Sequence, residues 1–214
     1  MKQNIYFVSG IDTDAGKSYA VGYLARQWNG QGIRTITQKL VQTGNDGYSE
    51  DIALHRKLMG TGYTKEDEEM LTMPEIYSYP ASPHLASRLD NRPIDFDKIE
   101  RATRILSERY DVVLLEGAGG LMAPLTDDCL TIDYIVEKGY PIILVTSGKL
   151  GSINHTLLSL EAVARRDLTL YMVAYNLFSE NQDKTIHNDT KQYIAAYLRK
   201  NFPETQLMEV PVLD

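Results

Sequence analysis

Near its start the chain runs NIYFVS, then GIDTDAGKS, then a periodic stretch from about Lys17 to Asn29. A short apolar run, a glycine-containing loop and an amphipathic segment, in that order, read as strand, loop and helix. The same alternation continues to the end of the chain. GIRTITQKL is a second strand, with Gly30 and Gly32 closing the helix before it. DKIERATRILSERY leads as a helix into DVVLLEG, a continuous apolar strand. TIDYIVEKG, PIILVTS, INHTLLSLEAVARRD, LTLYMVAYN, KTIHNDTKQYIAAYLRKNF and LMEVPVL follow as helix, strand, helix, strand, helix and a short last strand. Alternation of this kind predicts the α/β class, with a mostly parallel sheet flanked by helices.

At 214 residues and 43% hydrophobic, the chain has enough apolar material for a full core, and residues 1–214 are expected to form one domain. A net charge of −7 argues against nucleic acid or an anionic membrane surface as the main partner. Cys129 is the single cysteine, which excludes an intrachain disulfide and Cys-based zinc sites and points to a reducing cytoplasm. No segment approaches the roughly 20 apolar residues that span a bilayer. The apolar start, Ile5 to Val8, is too short for a signal-peptide core. Two stretches read as long loops, Gly44 to Asp51 and the Tyr/Pro/Ser-rich Met73 to Arg92.

In parallel α/β sheets ligands bind beyond the carboxyl ends of the strands. That edge would gather Ser9 to Ser18, Lys39 to Thr43, Glu116 to Gly120, Thr146 to Gly151 and Asn176. GIDTDAGKS ends as a phosphate-binding P-loop does, but with five residues, two of them aspartates, where the usual motif has four. Its backbone N–H groups and the helix N-terminus would cradle phosphates, Lys17 would reach the outer phosphates and Ser18 would ligate Mg²⁺. Glu116, closing DVVLLEG, is placed as the second acid of such sites, holding Mg²⁺ directly or through water; its plain reading is a hydrated strand-end acid. Asp51 opens the helix DIALHRKLM, where the helix dipole alone favours an acid. Lys39 ends a strand beside the one feeding the loop and would point toward the phosphates, unless it is a solvated strand-end charge. His55, His84, His155 and His187 show no metal-ligand spacing, and Trp28 reads as core.

Several segments together resemble the dethiobiotin synthetase family. Its loop G-T-D-T-x-V-G-K-T has the same five intervening residues, with Ile11, Ala15 and Ser18 as mild replacements here. Its K-P-V-x-[ST]-G is similar to KLVQTG, Lys39 to Gly44, with Leu40 in place of proline. SEDIALH, YPASPHLAS, VLLEGAGGLMAPL, GKLGSINHTLLSLEA, AYNLF and EVPVL resemble further family segments in order along nearly the whole chain, with Leu177 where the family has an acid. The resemblance implies a P-loop NTPase type of fold and an ATP- and Mg²⁺-dependent ring closure of 7,8-diaminopelargonate with CO₂ or bicarbonate, in a cytoplasmic homodimer. It implies that Asp14, Ala15, Gly16, Lys17, Ser18 and Tyr19 bind ATP together with Asp51, Glu116, Gly117, Ala118 and Gly119. Asn176, Leu177, Pro211, Val212 and Leu213 would line the adenine pocket. Ser18, Asp51 and Glu116 would hold the metal, and Lys39, Lys17 and Thr13 would act on the reacting groups. Thr13, Lys39 and Thr43 would contact the diamine, while Gly151, Ser152, Ile153 and Asn154 would present backbone groups to the carboxylate of substrate bound by the neighbouring subunit.

Three other P-loop readings compete, one of them a simple nucleotide-binding regulator in which Lys39 is inert. Amidoligases acting on corrinoid side chains carry a glutaminase domain, for which this chain is too short. Partitioning-type ATPases usually have a second lysine directly after the first glycine of the loop, where this chain has Ile11.

Overall fold

The computed structural model describes residues 4–177 and 183–212. Six strands form the main sheet: β1 Ile5–Gly10, β2 Thr35–Lys39, β5 Val112–Gly120, β6 Ile142–Ser147, β7 Leu170–Asn176 and β8 Gln206–Val210, in the order β2-β5-β1-β6-β7-β8. Every neighbouring pair is parallel. Apolar residues next to each other in a strand face opposite sides, so the continuous apolar runs bury both faces. Val8, Leu114, Ile143 and Val145 meet Tyr19, Ala20, Val21 and Leu24 of α1 Lys17–Gly30 on one side. Phe7, Leu115, Leu144 and Val173 lie in the second cluster, with residues of α5 Phe96–Arg109, α6 Thr131–Lys138, α7 Ser152–Arg165 and α8 Lys184–Asn201. Full burial of a side chain such as Leu24 stabilises the sandwich by about 1.5–3 kcal/mol.

The remaining elements are short. α2 Glu50–Met59 starts where Ser49 accepts a hydrogen bond from the Ile52 amide, and packs beside α1. α3 Lys65–Glu68 is closed by a Thr64/Asp67 capping box. The stretch from Met73 to Arg92, expected to be a long loop, instead contains β4 Ile76–Tyr77, which pairs with β3 Gln42–Thr43, and α4 Pro83–Leu89. Pro83 at the first turn presets a helical backbone angle there. The buried Glu75 carboxylate ties the segment down through Arg92 at 2.6 Å, Lys98 at 3.2 Å and the Tyr77 hydroxyl at 2.8 Å. Two sequence expectations shift at the sheet margins. The last strand stops at Val210, because Pro211 has no N–H to continue a ladder. Trp28 is half-buried, packing at 5.8 Å against the ring of Tyr6 rather than inside the core.

Candidate active site

All six main strands run the same way, so their carboxyl ends meet on one edge. There the chain leaves β1 through a loop whose extra residue is taken up in a 3₁₀ turn, Thr13–Ala15. Asp12 starts that turn: its carboxylate accepts the Thr13 amide at 2.7 Å. Asp12 and Asp14 are both exposed at the rim of the loop. Gly16 returns the chain into α1 at a φ of 80°, and a Cβ there would come within 1.9 Å of the Asn176 amide nitrogen. Asn176, buried at the end of β7, donates to the Ala15 carbonyl at 3.2 Å and so clamps the loop from the adjacent side.

Lys17 is buried under the loop and donates to the Asp12 and Thr13 carbonyls at 3.0 and 3.2 Å. Burial pulls its pKa down to about 8, against the opposing pull of Glu116. Ser18 Oγ lies 2.7 Å from Asp51 Oδ1 and 2.8 Å from Glu116 Oε1. One hydroxyl proton cannot serve two carboxylates at once, so these oxygens form an acceptor-rich cluster suited to a hard cation. Lys39 contributes positive charge to it: its Nζ is 2.5 Å from Asp51 Oδ2 and 2.8 Å from Glu116 Oε1, with the Gly117 carbonyl at 3.3 Å. Burial opposes both charges, yet the pair prevails. Glu116 is held well below the usual carboxylate range by Lys39 and His55, and Lys39 is raised by Glu116 and Asp51. Lys39 is therefore a buried ion-paired lysine rather than a solvated strand-end charge, and Glu116 is not a hydrated one.

Beside this cluster opens a cavity of about 760 Å³. The loop supplies Asp12 and Thr13 to its wall, β3 supplies Thr43, the segment before α4 supplies Pro80 to Ser82, and the end of β5 supplies Ala118 and Gly119. From α7 the lining residues are His155, Leu158 and Ser159. Gly151 and Ser152 instead border a hollow of about 50 Å³ shared with Asp12 and Asp14. Ile153 and Asn154 follow them in the first turn of α7 and line neither space. At the far end of the edge, Asn176 pairs in register with Val210, and the Leu177 amide donates to the Val210 carbonyl at 2.9 Å. The Tyr19 hydroxyl donates to the Pro211 carbonyl at 3.1 Å and ties this end to α1, while Val212 is exposed. Leu213 lies outside the described residues.

The sequence reading did not single out His55, which is fully buried with Nε2 at 2.7 Å from Glu116 Oε2. One signal was available: it follows Asp51 by four residues on the same helix, and therefore shares its face. His155 and Leu158 of the cavity wall carried no such signal. Among the described residues no group of three or more His, Cys, Asp or Glu side chains could hold a metal by itself, and no helix is long and apolar enough to cross a membrane.

A parallel sheet whose first strand feeds a glycine-turned phosphate loop, with an acid on the next strand beside the loop's serine, defines a P-loop nucleotide-binding protein. Solved structures of the signal recognition particle receptor FtsY share that fold. The GDP complex from Elizabethkingia anophelis matches 97% of this chain at a TM-score of 0.54 and 16% identity, and the Thermotoga maritima protein 95% at 0.53 and 15%. The chain spans 56% and 60% of those proteins. A family model described as "AAA domain" matches residues 4–214. The chain is 48% identical over 206 residues to ATP-dependent dethiobiotin synthetase BioD 2 of Pasteurella multocida, covering 96% of each chain. It is 48% identical over 214 residues to ATP-dependent dethiobiotin synthetase BioD of Chlorobaculum tepidum, covering 100% of this chain and 87% of that one. The chain belongs to the dethiobiotin synthetase family.

Proposed function

We propose that the chain is an ATP-dependent ligase of biotin biosynthesis, working in the cytoplasm. It closes the ureido ring of dethiobiotin from 7,8-diaminopelargonate and CO₂, with release of ADP and phosphate. The observation that carries this reading is the shared wall: the phosphate loop itself, through Asp12 and Thr13, lines a cavity of about 760 Å³. That volume suits a small diamine acid. Substrate bound there stands next to the terminal phosphate of a nucleotide on the same loop.

One amine takes up CO₂ as a carbamate. A carbamate oxygen attacks the γ-phosphorus, the bond to ADP breaks, and a carbamic-phosphoric anhydride results. The second amine then attacks its carbonyl carbon, phosphate leaves, and the ring closes. Phosphoryl transfer of this kind is mostly positioning and neutralisation of charge. Gly16 turns the backbone amides toward the phosphates, with Asp14, Ala15 and Tyr19 completing the loop and helix start. Lys17 neutralises the outer phosphates, and Lys39 neutralises the transferring phosphoryl oxygens. Ser18, Asp51 and Glu116 would hold Mg²⁺, a fit supported by the Ser18 hydroxyl, which lies within 2.8 Å of one carboxylate oxygen from each acid. When bound there, the ion would supply positive charge against that of the transferring phosphate. The Thr13 and Thr43 side chains address the diamine, and Gly117, Ala118 and Gly119 border the phosphates. Asn176, Leu177, Pro211, Val212 and Leu213 form the adenine end.

The protein works as a homodimer, in which Gly151, Ser152, Ile153 and Asn154 serve the carboxylate of substrate bound to the second copy. Support comes from the position of these residues away from the main cavity of their own chain, and from Leu150 (81% exposed), Leu158 (62%) and Met122 (54%) at the same edge. The test is to mix the protein with the diamine, bicarbonate and Mg-ATP and to detect dethiobiotin by mass. Phosphate release is expected only with both co-substrates present. Rapid ATP hydrolysis indifferent to both would overturn the reading.

A further inference from the structure

Glu116 is one carbon longer than the aspartate more usual at this place in P-loop sites, so its carboxylate has an extra rotor to be held still. Its two oxygens are held differently. Oε1 faces Ser18 and Lys39, whereas Oε2 is met by the imidazole of His55 at 2.7 Å. That ring is fully buried between α2 and the middle of β2 and β5, and its other nitrogen, Nδ1, lies 3.0 Å from Thr37 Oγ1. Behind Thr37 stands Arg56, whose Nη1 donates to the same hydroxyl at 2.9 Å. Its Nε and Nη2 grip both oxygens of Asp67 at 2.8 Å.

The proton inventory gives this chain a direction. Arginine only donates and an ionised carboxylate only accepts. Thr37 Oγ1 accepts a hydrogen bond from Arg56 and donates its own O–H to His55 Nδ1. With Nδ1 accepting, the ring's donor, Nε2–H, is aimed at Glu116 Oε2. We propose that His55 is a positioning residue for the phosphoryl-transfer site: it fixes the rotation of Glu116 so that Oε1 faces Ser18 and Lys39. Asp51 and His55 sit one turn apart on α2, so a single helix delivers both a candidate ligand and the group that orients the other. The inference rests on the metal reading above.

The test compares His55→Leu and His55→Gln with the parent protein. The glutamine amide can donate to Glu116 through nitrogen and accept from Thr37 through oxygen, whereas leucine does neither. Mn²⁺ affinity is measured calorimetrically in the presence of ADP, and the Mg²⁺ concentration for half-maximal turnover is measured alongside it. Loss of a partner that orients a ligating carboxylate weakens metal affinity about 10–100-fold. His55→Leu is expected to show that loss in both measurements, with turnover at saturating Mg²⁺ falling less and ADP affinity in chelator unchanged. His55→Gln should regain most of it. Should His55→Leu fail to fold, His55→Asn, too short to span from Thr37 to Glu116, takes its place. Parental Mn²⁺ affinity in the leucine or asparagine variant, or no recovery with glutamine, would overturn the role of His55 alone. A parent protein that binds no Mn²⁺ with ADP would overturn the metal reading with it.

Discussion

Two lysines at the same strand edge touch different groups, and their expected roles differ accordingly. Lys17 rests on loop carbonyls that a phosphate could replace, so under the proposed function its charge would serve bound nucleotide and transition state alike. Lys39 is locked to Asp51 and Glu116, and under the proposed function its contribution would grow with the charge that develops during transfer. Lys39→Gln should bind Mg-ATP nearly as the parent does, while turnover falls about 10²–10³-fold. Lys17→Gln should lose nucleotide affinity as well. Calorimetric ATP binding beside a product assay separates the two, and undiminished turnover in Lys39→Gln would sink this division. The proton on Lys17 gives a second expectation. Its folded value of about 8 lies below its ordinary 10.5, so between the two the unfolded chain holds the proton and the folded one does not. Lys17 therefore favours folding above the upper value, and that benefit is lost as pH falls through the lower one. A bound phosphate restores the charge. ATP binding just above pH 8 should take up a proton, seen as a buffer-dependent heat, and Lys17→Arg should abolish the uptake because arginine stays charged.

At the scale of elements, the site depends on the turn between β1 and α1 and on the strand end that clamps it. The inserted residue lengthens the loop into a 3₁₀ turn capped by Asp12, which answers why an anion-binding loop carries that aspartate: its carboxylate is engaged by the Thr13 amide. The second half of the turn is Gly16, which combines a left-handed backbone angle with a 1.9 Å approach to Asn176. An alanine there has to pay for both. Gly16→Ala is expected to destabilise the protein by about 1–3 kcal/mol and to weaken nucleotide binding, measured by denaturant unfolding and calorimetry. Adding Asn176→Ala should recover only the part due to crowding, because the backbone strain at Gly16 stays. Full recovery in the double variant would show that the angle costs nothing. α2 does comparable positioning work from the other side, placing Asp51, His55 and Arg56 within two turns.

At the scale of the whole molecule, the carboxyl edge is built on one chain but carries apolar groups that this chain does not cover. Leu150, Leu158 and Met122 border the loop-side spaces, and a homodimer across this edge would remove them from water. Sedimentation is expected to show a dimer, and Leu150→Lys combined with Leu158→Lys should shift it toward monomer with a loss of turnover larger than the loss of stability. A monomer that makes dethiobiotin at the full rate would rule the arrangement out.

The order of elements, the parallel sheet and the phosphate loop were readable in the chain itself, because their signals are local. Apolar runs bounded by glycine, a helix period after GKS and motifs at fixed spacing each sit within a few residues of one another. So was Lys39 as a strand end on the carboxyl edge, whereas β5 runs four residues beyond Glu116 to Gly120. Folding decided what local spacing cannot carry. Whether Lys39 is solvated or buried depends on Asp51 and Glu116 arriving from other elements. His55 looks idle until Glu116, 61 residues further on, meets it. The stretch from Met73 to Arg92 looks like loop because its order comes from Glu75 contacts with Arg92 and Lys98, made only once the chain has closed on itself. Charge pairing and burial are properties of a three-dimensional neighbourhood, and residues far apart in sequence enter that neighbourhood only through the packed sheet.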